Sequence, residues 1–528
     1  MAKEKLYSAE RLIVTAFPHG QVVVLPSDAA GCTVRADLLA RLLTGAFELT
    51  PGARPAMKVI GARITGKLDL EAANIIAPIW LEQCLFEEAP NLVDADARSI
   101  RLPGCQTPGF RAAGVRIRGN LELNAGFVCV GEVNLAGAQI SELVWLADAL
   151  LYNPQGKALD AARLHVGGAF LATRLVASGQ FQMISSRIDG LLSLKAARIS
   201  NPDDISWNAQ RIEVGESVFF QRGFKSERRV VLQNARIGGG IDGLAASFIN
   251  QAGMTCLSLQ GAQVAGSANF VEARFRGNVN MTDSIVGRNL TFSRAEFGGE
   301  GQQLLNLERL TATRIRLRVS TPPHAIDLSQ AHTESIEDDR ATWPQKLRLA
   351  GCSYQAIYPV DETSVRDRVK WLEREIEGYR PQPYQQLIAA YRRAGEEQHA
   401  KRVALENQRR RRATLAWPGR IVGYALDATV GYGYRTWLAG LWLLLFLAAG
   451  TAVFTVWPAH AIKPGNIPPF QPFVYTLDLL LPVVNLGQEA AWRAGGVGQW
   501  LSWTLILLGW GLTTAVVAGL TRLFNRST

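Results

Sequence analysis

Val115-Arg116-Ile117-Arg118-Gly119-Asn120-Leu121-Glu122-Leu123 is one copy of a phrase that keeps returning between about residues 60 and 300. The phrase is a small residue, a polar one and a branched apolar one, often with glycine two positions later, and then alternating apolar positions. Other copies are Ala62-Arg63-Ile64 with Gly66, Leu68 and Leu70, Arg187-Ile188 with Gly190, Leu192 and Leu194, and Ala273-Arg274-Phe275 with Gly277, Val279 and Met281. With the branched residue as marker, Ile117, Ile140, Leu164, Ile188, Ile212 and Ile237 recur at spacings of about 23 to 25. Half-period copies lie between some of them, such as Ile188 to Ile199 and Val264 to Phe275 to Ile285.

Short apolar runs that alternate with period two and are broken by glycine and polar turns predict strands. A fixed period in this range predicts a solenoid, each coil adding short parallel strands to the last. The expected fold is mainly β, a right-handed parallel β-helix of pentapeptide-like type over residues 59–360. In such a coil Ile and Leu point inward, Ala sits where there is little room, and Arg, Gln, Asn or Asp faces water. Exposed strand edges recruit other chains, so the ends need covers. Residues 1–58 are the expected N-terminal cap, with Val34 to Leu43 at amphipathic helical spacing over the first coil.

A charged helical linker is expected over 361–435, with helices over Val365 to Tyr379, Pro383 to Ala394 and Glu396 to Leu415, and Gly395 as a break. The pair from Pro383 to Leu415 looks like a single tetratricopeptide-type hairpin. One such unit makes no solenoid of its own, which leaves a linker or a self-association surface.

Residues 436–528 read as a two-span α-helical membrane domain. Thr436 to Trp457 and Trp500 to Leu523 are apolar runs that each suit a hydrocarbon core of ~30 Å. Between them, 473–486 is too short to cross and carries Asp478 and Pro482, which predicts an interfacial or re-entrant segment. An ionisable group at membrane depth is costly and marks a functional candidate. Asp478 is that candidate, with Asn485, Gln488 and Glu489 as its polar neighbours. Gly511, Ala515 and Gly519 recur every four residues, a helix-packing face.

Charge narrows the function by its location. Residues 361–435 hold fifteen Lys/Arg against ten Asp/Glu, while the part before residue 361 holds 37 against 34. A nucleic-acid binder would concentrate basic residues on its folded domain, so none is expected as a partner. Arg409 to Arg412, Arg420 and Arg435 precede the first apolar run, and Arg522 and Arg526 end the second. By the positive-inside tendency both termini are expected on the cytoplasmic side of a bacterial inner membrane. The start shows no apolar signal core, so the N-terminal part is expected to stay in the cytoplasm. Cys32, Cys84, Cys105, Cys129, Cys256 and Cys352 lack CxxC spacing and fit buried thiols in a reducing compartment.

Apparent chemical motifs fail on context. Gly238-Gly239-Gly240-Ile241-Asp242-Gly243 satisfies GxGxxG, yet solenoid phrases flank it where a dinucleotide site needs a βαβ unit. Thr429-Val430-Gly431-Tyr432-Gly433 has the letters of a potassium filter, but no span precedes it. The six histidines lack partners at ligand spacing. No catalytic residue, cofactor or metal is assigned, and the expectation leans against an enzyme.

Several phrases together carry a resemblance. They are the Ala-Arg-Ile-x-Gly repeats, Pro383-Tyr384-Gln385-Gln386-Leu387 with Tyr391-Arg392-Arg393, Thr429 to Arg435, Leu477-Asp478 through Pro482 to Gln488, and Gly509-Trp510 with Ala518-Gly519-Leu520. On these the chain resembles, over nearly its whole length, a bacterial group that joins a pentapeptide-like β-helix to a two-span membrane module. Some members are labelled membrane-associated oxidoreductase; this sequence has no βαβ cofactor unit, haem motif or redox Cys pair to match. The order of span, short apolar segment and span also looks like the pore module of tetrameric cation channels, without the usual filter letters.

The first functional expectation is therefore an oligomeric, membrane-anchored β-helix protein with a channel-like element. The second is a scaffold tethered to the lipid bilayer that binds an unidentified cytoplasmic protein. The third, a membrane-associated oxidoreductase, rests on the label alone.

Overall fold

The computed structural model describes residues 6–26, 29–45, 52–435, 437–462, 469–481 and 483–524. The chain forms two compact units, Met1–Gln386 and Leu387–Thr528.

The first unit is a parallel β-solenoid of about 13 turns. In the coil that holds the opening phrase, Arg116–Ile117, Leu121–Glu122, Val128–Val130 and Val133–Asn134 are four short strands. Each pairs in parallel with its counterpart one coil on: Ile117 with Ile140, Leu121 with Val144, Cys129 with Leu151 and Val133 with Leu159. Stacking these coils builds two sheets, of 23 and 19 strands among the described residues. Alternation decides what is inside. Val115, Ile117, Leu121, Leu123, Phe127 and Cys129 are buried, whereas Arg116 and Arg118 are exposed. Further along, phenylalanines of successive coils stack within the core, Phe248 on Phe275 at 5.5 Å and Phe275 on Phe297 at 5.0 Å between ring centroids.

The marker column differs from the even spacing in the sequence. Ile140 pairs with Val166 and Ile188 with Val214, so Leu164 and Ile212 sit two residues earlier, at the buried corner that Val115 and Ala138 occupy in other coils. A slip of two residues keeps every side chain on its face, so hydrophobic alternation does not distinguish the two placements. The longer coils carry their extra residues at one corner. There Asn153, Asn201 and Asn250 each donate from the side-chain amide to a carbonyl just ahead, Lys157 at 2.8 Å, Ile205 at 2.7 Å and Thr255 at 2.7 Å.

Other corners depend on left-handed residues, such as Asp148 at φ 59° and Arg174 at φ 56°. Asn or Asp just upstream closes many of them, as Asn134 accepts from Ala136 N–H at 3.0 Å and Asp160 from Ala162 N–H at 3.1 Å. These Asx turns explain the polar breaks of the repeat.

Both ends are covered. The ladder starts before residue 59, because Val23–Val24 pairs with Val59–Ile60 and Thr33–Arg35 with Arg63–Thr65. Val34, expected at the start of the cap helix, is thus a strand residue held by that ladder. The helical part of the cap is α1 (Ser8–Ala16), α2 (Ala29–Cys32) and α3 (Ala36–Leu43). At the far end α4 (Val365–Leu372) stops well before Tyr379. Leu347 N–H donates to Arg374 O and Ile376 N–H to Leu347 O, which draws this stretch into the last coil as extended chain. Arg368 locks the end: it reaches Asp338 at 2.5 and 3.1 Å, and the rings of Trp343 and Trp371 lie 5.1 and 5.2 Å from its guanidinium.

Helix α5 (Pro381–Arg393) leads into the second unit, which continues with α6 (Glu397–Thr414), α7 (Trp417–Val430), α8 (Trp437–Val456), α9 (Pro472–Leu480), α10 (Gln488–Ala491) and α11 (Val497–Phe524). Of the described residues, one helix, α8, is long and apolar enough to cross a membrane. The stretch expected as the second span is α11, a helix of 28 residues. The segment expected at 473–486 is helical only to Leu480 and then turns back.

Candidate functional site

Helix α9 packs between α8 and α11, and two glycines permit its close approach. A Cβ on Gly450 would lie 2.4 Å from Thr476 Cγ2, and one on Gly509 would lie 2.3 Å from the Leu480 carbonyl oxygen. Phe454 meets Tyr475 edge to face at 5.0 Å, within a core of Tyr475, Leu479, Leu480, Ala494 and Leu505. The expected packing face lies elsewhere on α11. A Cβ on Gly511 would meet nothing within 4 Å, so Gly511 does not set the approach inside this chain; the surroundings of Ala515 and Gly519 lie outside what the structure describes.

Asp478 is buried at the end of α9, and its carboxylate holds the returning loop. Oδ1 accepts from Leu486 N–H at 2.7 Å, and Oδ2 accepts from Gln488 N–H at 2.9 Å and Glu489 N–H at 2.8 Å. The last two amides open α10, where otherwise unpaired N–H groups favour an anion. Gln488 is buried beside it and donates to Pro469 O at 3.2 Å. Asn485 closes its own turn on Gly487 N–H at 2.9 Å. Asn485 and Glu489 are exposed, so of the four predicted polar residues only Asp478 and Gln488 share a buried site. Beyond α10, Trp492–Arg493 pairs antiparallel with His460–Ala461. The carboxylate therefore organises a compact return between the two long helices.

On the solenoid, glycines hollow one corner. A Cβ on Gly215 would lie 2.0 Å from Asp189 O, and one on Gly238 would lie 2.2 Å from Gly215 O. Close backbone approach, not a left-handed turn, requires glycine at these positions. A groove of about 560 Å³ runs along this corner, lined by Asp189, Glu213, Arg236, Gly238 and Val264 among others. Its polar side chains pair within a coil, Arg187 with Asp189 at 2.8 Å, and across coils, His165 with Asp189 at 3.1 Å and Arg236 with Glu213 at 3.2 Å. The GxGxxG letters follow strand Arg236–Ile237 here and run through strand Ile241–Asp242, with no helix following. Thr429 to Gly433 closes α7 and forms a 3-10 turn.

The structure also joins residues that spacing left apart. Cys84 N–H donates to Cys105 Sγ at 3.4 Å from the neighbouring coil. A side-chain hydrogen bond with Cys105 draws the Cys84 thiol below its ordinary value, while burial drives Cys105 well above it. The signal was a separation close to one coil, which has no meaning until the fold is known. No group of three or more potential metal ligands occurs among the described residues. No protein-family model, curated protein or solved structure matches the chain.

Proposed function

We propose that this chain is a membrane-tethered scaffold: α8 and α11 insert in a bilayer, and the solenoid offers its ribbed, charge-paired surface to a cytoplasmic protein partner. The supporting observation is apolar surface turned away from the unit's own core. Only 17% of the most apolar stretch of α8 is buried, with Leu441, Leu444 and Leu445 exposed, and Trp500, Leu507 and Trp510 are exposed on α11. A soluble unit rarely leaves a contiguous apolar patch of this kind uncovered. The flanking arginines favour cytoplasmic termini on an inner membrane.

Alkaline carbonate extraction tests the tether. The full chain is expected to stay with the membrane pellet, and Leu441→Asp, Leu444→Asp and Leu445→Asp together are expected to release it. Release of the unaltered chain by carbonate overturns the reading. The scaffold part is tested by exchanging residues 436–528 for an unrelated two-span hairpin, which should preserve whatever phenotype loss of the protein removes.

A channel-like, oligomeric reading is favoured by one observation, the short helix α9 held between two long ones. It ranks second because the residue that motivated it, Asp478, is occupied by three backbone amides. Planar-bilayer conductance of the protein and of Asp478→Ala decides it; silence from both ends it.

A further inference from the structure

We infer that α7 is a second membrane attachment, a helix seated in the headgroup region of an anionic leaflet through its outward apolar face. This inference rests on the membrane reading of α8 given above.

The amphipathicity of α7 is inverted relative to a helix that packs on a protein core. Trp417, Ile421, Ala425 and Ala428 fall at helical spacing on the outer face, beside Val422 and Leu426, and all are exposed, Trp417 to 74% and Ile421 to 59%. The inner face carries Gly423, Asp427 and Val430, and packs on α6 and on the turn Gly431–Gly433. That contact is polar. Asp427 accepts from Arg409 Nε at 3.0 Å and from Arg412 at 3.2 Å, and the Arg412 guanidinium stacks 3.8 Å from the Tyr424 ring centroid. A face with Trp, Ile, Val and Leu in water is unstable unless something apolar covers it.

Two observations favour lipid as the cover. The first is continuity with the apolar helix. Trp442 Nε1 on α8 donates to Ala428 O at 2.9 Å, and Val430 clusters with Ala439 and Leu512. The end of α7 is therefore fixed to the opening turns of α8, the level at which a crossing would enter the bilayer. The second is charge. Arg411, Arg420 and Arg435 are exposed around α7, and Arg420 also caps α6 by donating to Leu415 O at 2.8 Å and Ala413 O at 3.1 Å. A basic helix with Trp and aliphatic residues on one face binds anionic interfaces through both terms.

The test uses the full chain reconstituted in phosphatidylcholine vesicles with and without phosphatidylglycerol, and the environment-sensitive dye NBD at Ile421→Cys or Leu445→Cys. The native thiols are buried and leave the introduced one selective. Expected results are a blue-shifted Ile421 signal quenched by nitroxides near the lipid headgroup, and loss of that quenching in phosphatidylglycerol vesicles with Arg411→Gln and Arg435→Gln. Leu445 should be quenched by nitroxides deep in the acyl chains in both lipids. Ile421 quenched by aqueous iodide while Leu445 is lipid-quenched overturns the inference and leaves the membrane reading intact. Ile421 shielded from both iodide and nitroxide means that protein covers α7, and this too overturns it. Equal quenching in both lipids removes the anionic requirement, and failure of Leu445 to meet lipid overturns the membrane reading itself.

Discussion

Asp478 holds its loop through acceptor atoms alone, so a change that preserves its size tests its role. Asp478→Asn replaces one acceptor oxygen with a donor and orphans at least one amide of 486–489. The expected cost is about 1–3 kcal/mol, since a buried group left without its partner bears its full desolvation penalty. Hydrogen exchange at Leu486, Gln488 and Glu489 checks it, and unchanged protection refutes the assigned role. A second single-residue prediction concerns Arg228, at φ 96° in a corner where the coils two before and two after it place Gly179 and Gly277 at φ 115° and 130°. A non-glycine residue there stores on the order of 1 kcal/mol of backbone strain. Arg228→Gly is expected to raise the melting temperature, and a clear fall would show that the side chain matters more than the backbone.

At the scale of elements, the two ends of the solenoid respond differently to perturbation. Helix α1 is fastened by Glu10, buried against Arg35 with Nε to Oε1 at 2.8 Å and accepting from Tyr7 N–H at 2.9 Å. Burial raises its pKa, but these hydrogen bonds outweigh it and hold the carboxyl below its ordinary value of 4.5. A depressed folded-state pKa gives stability that is present above the unfolded value and lost as pH falls through the folded one. The N-terminal cap should therefore loosen at pH below about 4.5, seen as faster exchange over residues 6–20. At the other end, Arg368→Met leaves Asp338 buried without its cation, a loss of about 3–5 kcal/mol. Limited proteolysis after residue 338 is its expected signature; an uncut variant with unchanged melting would refute the lock.

The solenoid, which makes up most of the molecule, is a stack in which each coil touches its neighbours, so damage to one coil spreads along the axis. Phe248 sits in the middle of the phenylalanine ladder, and Phe248→Ala is expected to cost about 3–5 kcal/mol and to broaden unfolding of the adjoining coils. Burial of thiols reports on the same integrity. All six cysteines are buried, and burial pushes Cys129, Cys256 and Cys352 up to about 12. A thiol-reactive chromophore should find none in the native protein near neutral pH and six in denaturant. Prompt reaction of any native thiol would mean that its coil opens.

The solenoid was legible in Ala-Arg-Ile-x-Gly because each copy carries its own strand, corner and inward face, and that local information is repeated. The apolar runs of α8 and α11 were legible for a similar reason, as length and hydropathy need no partner. The slip at Leu164 and Ile212 was not, since residues two apart bury equally well and only hydrogen bonds to the next coil choose between them. Helix α7 was missed because its polar face is turned inward, toward Arg409 and Arg412. The sequence by itself thus determined the repeat, the apolar helix and the charge that flanks it. Tertiary structure alone decided that Asp478 serves a loop, that Cys84 meets Cys105, and that α7 turns its tryptophan outward, because each depends on which atoms a distant part of the chain brings within hydrogen-bonding or van der Waals reach.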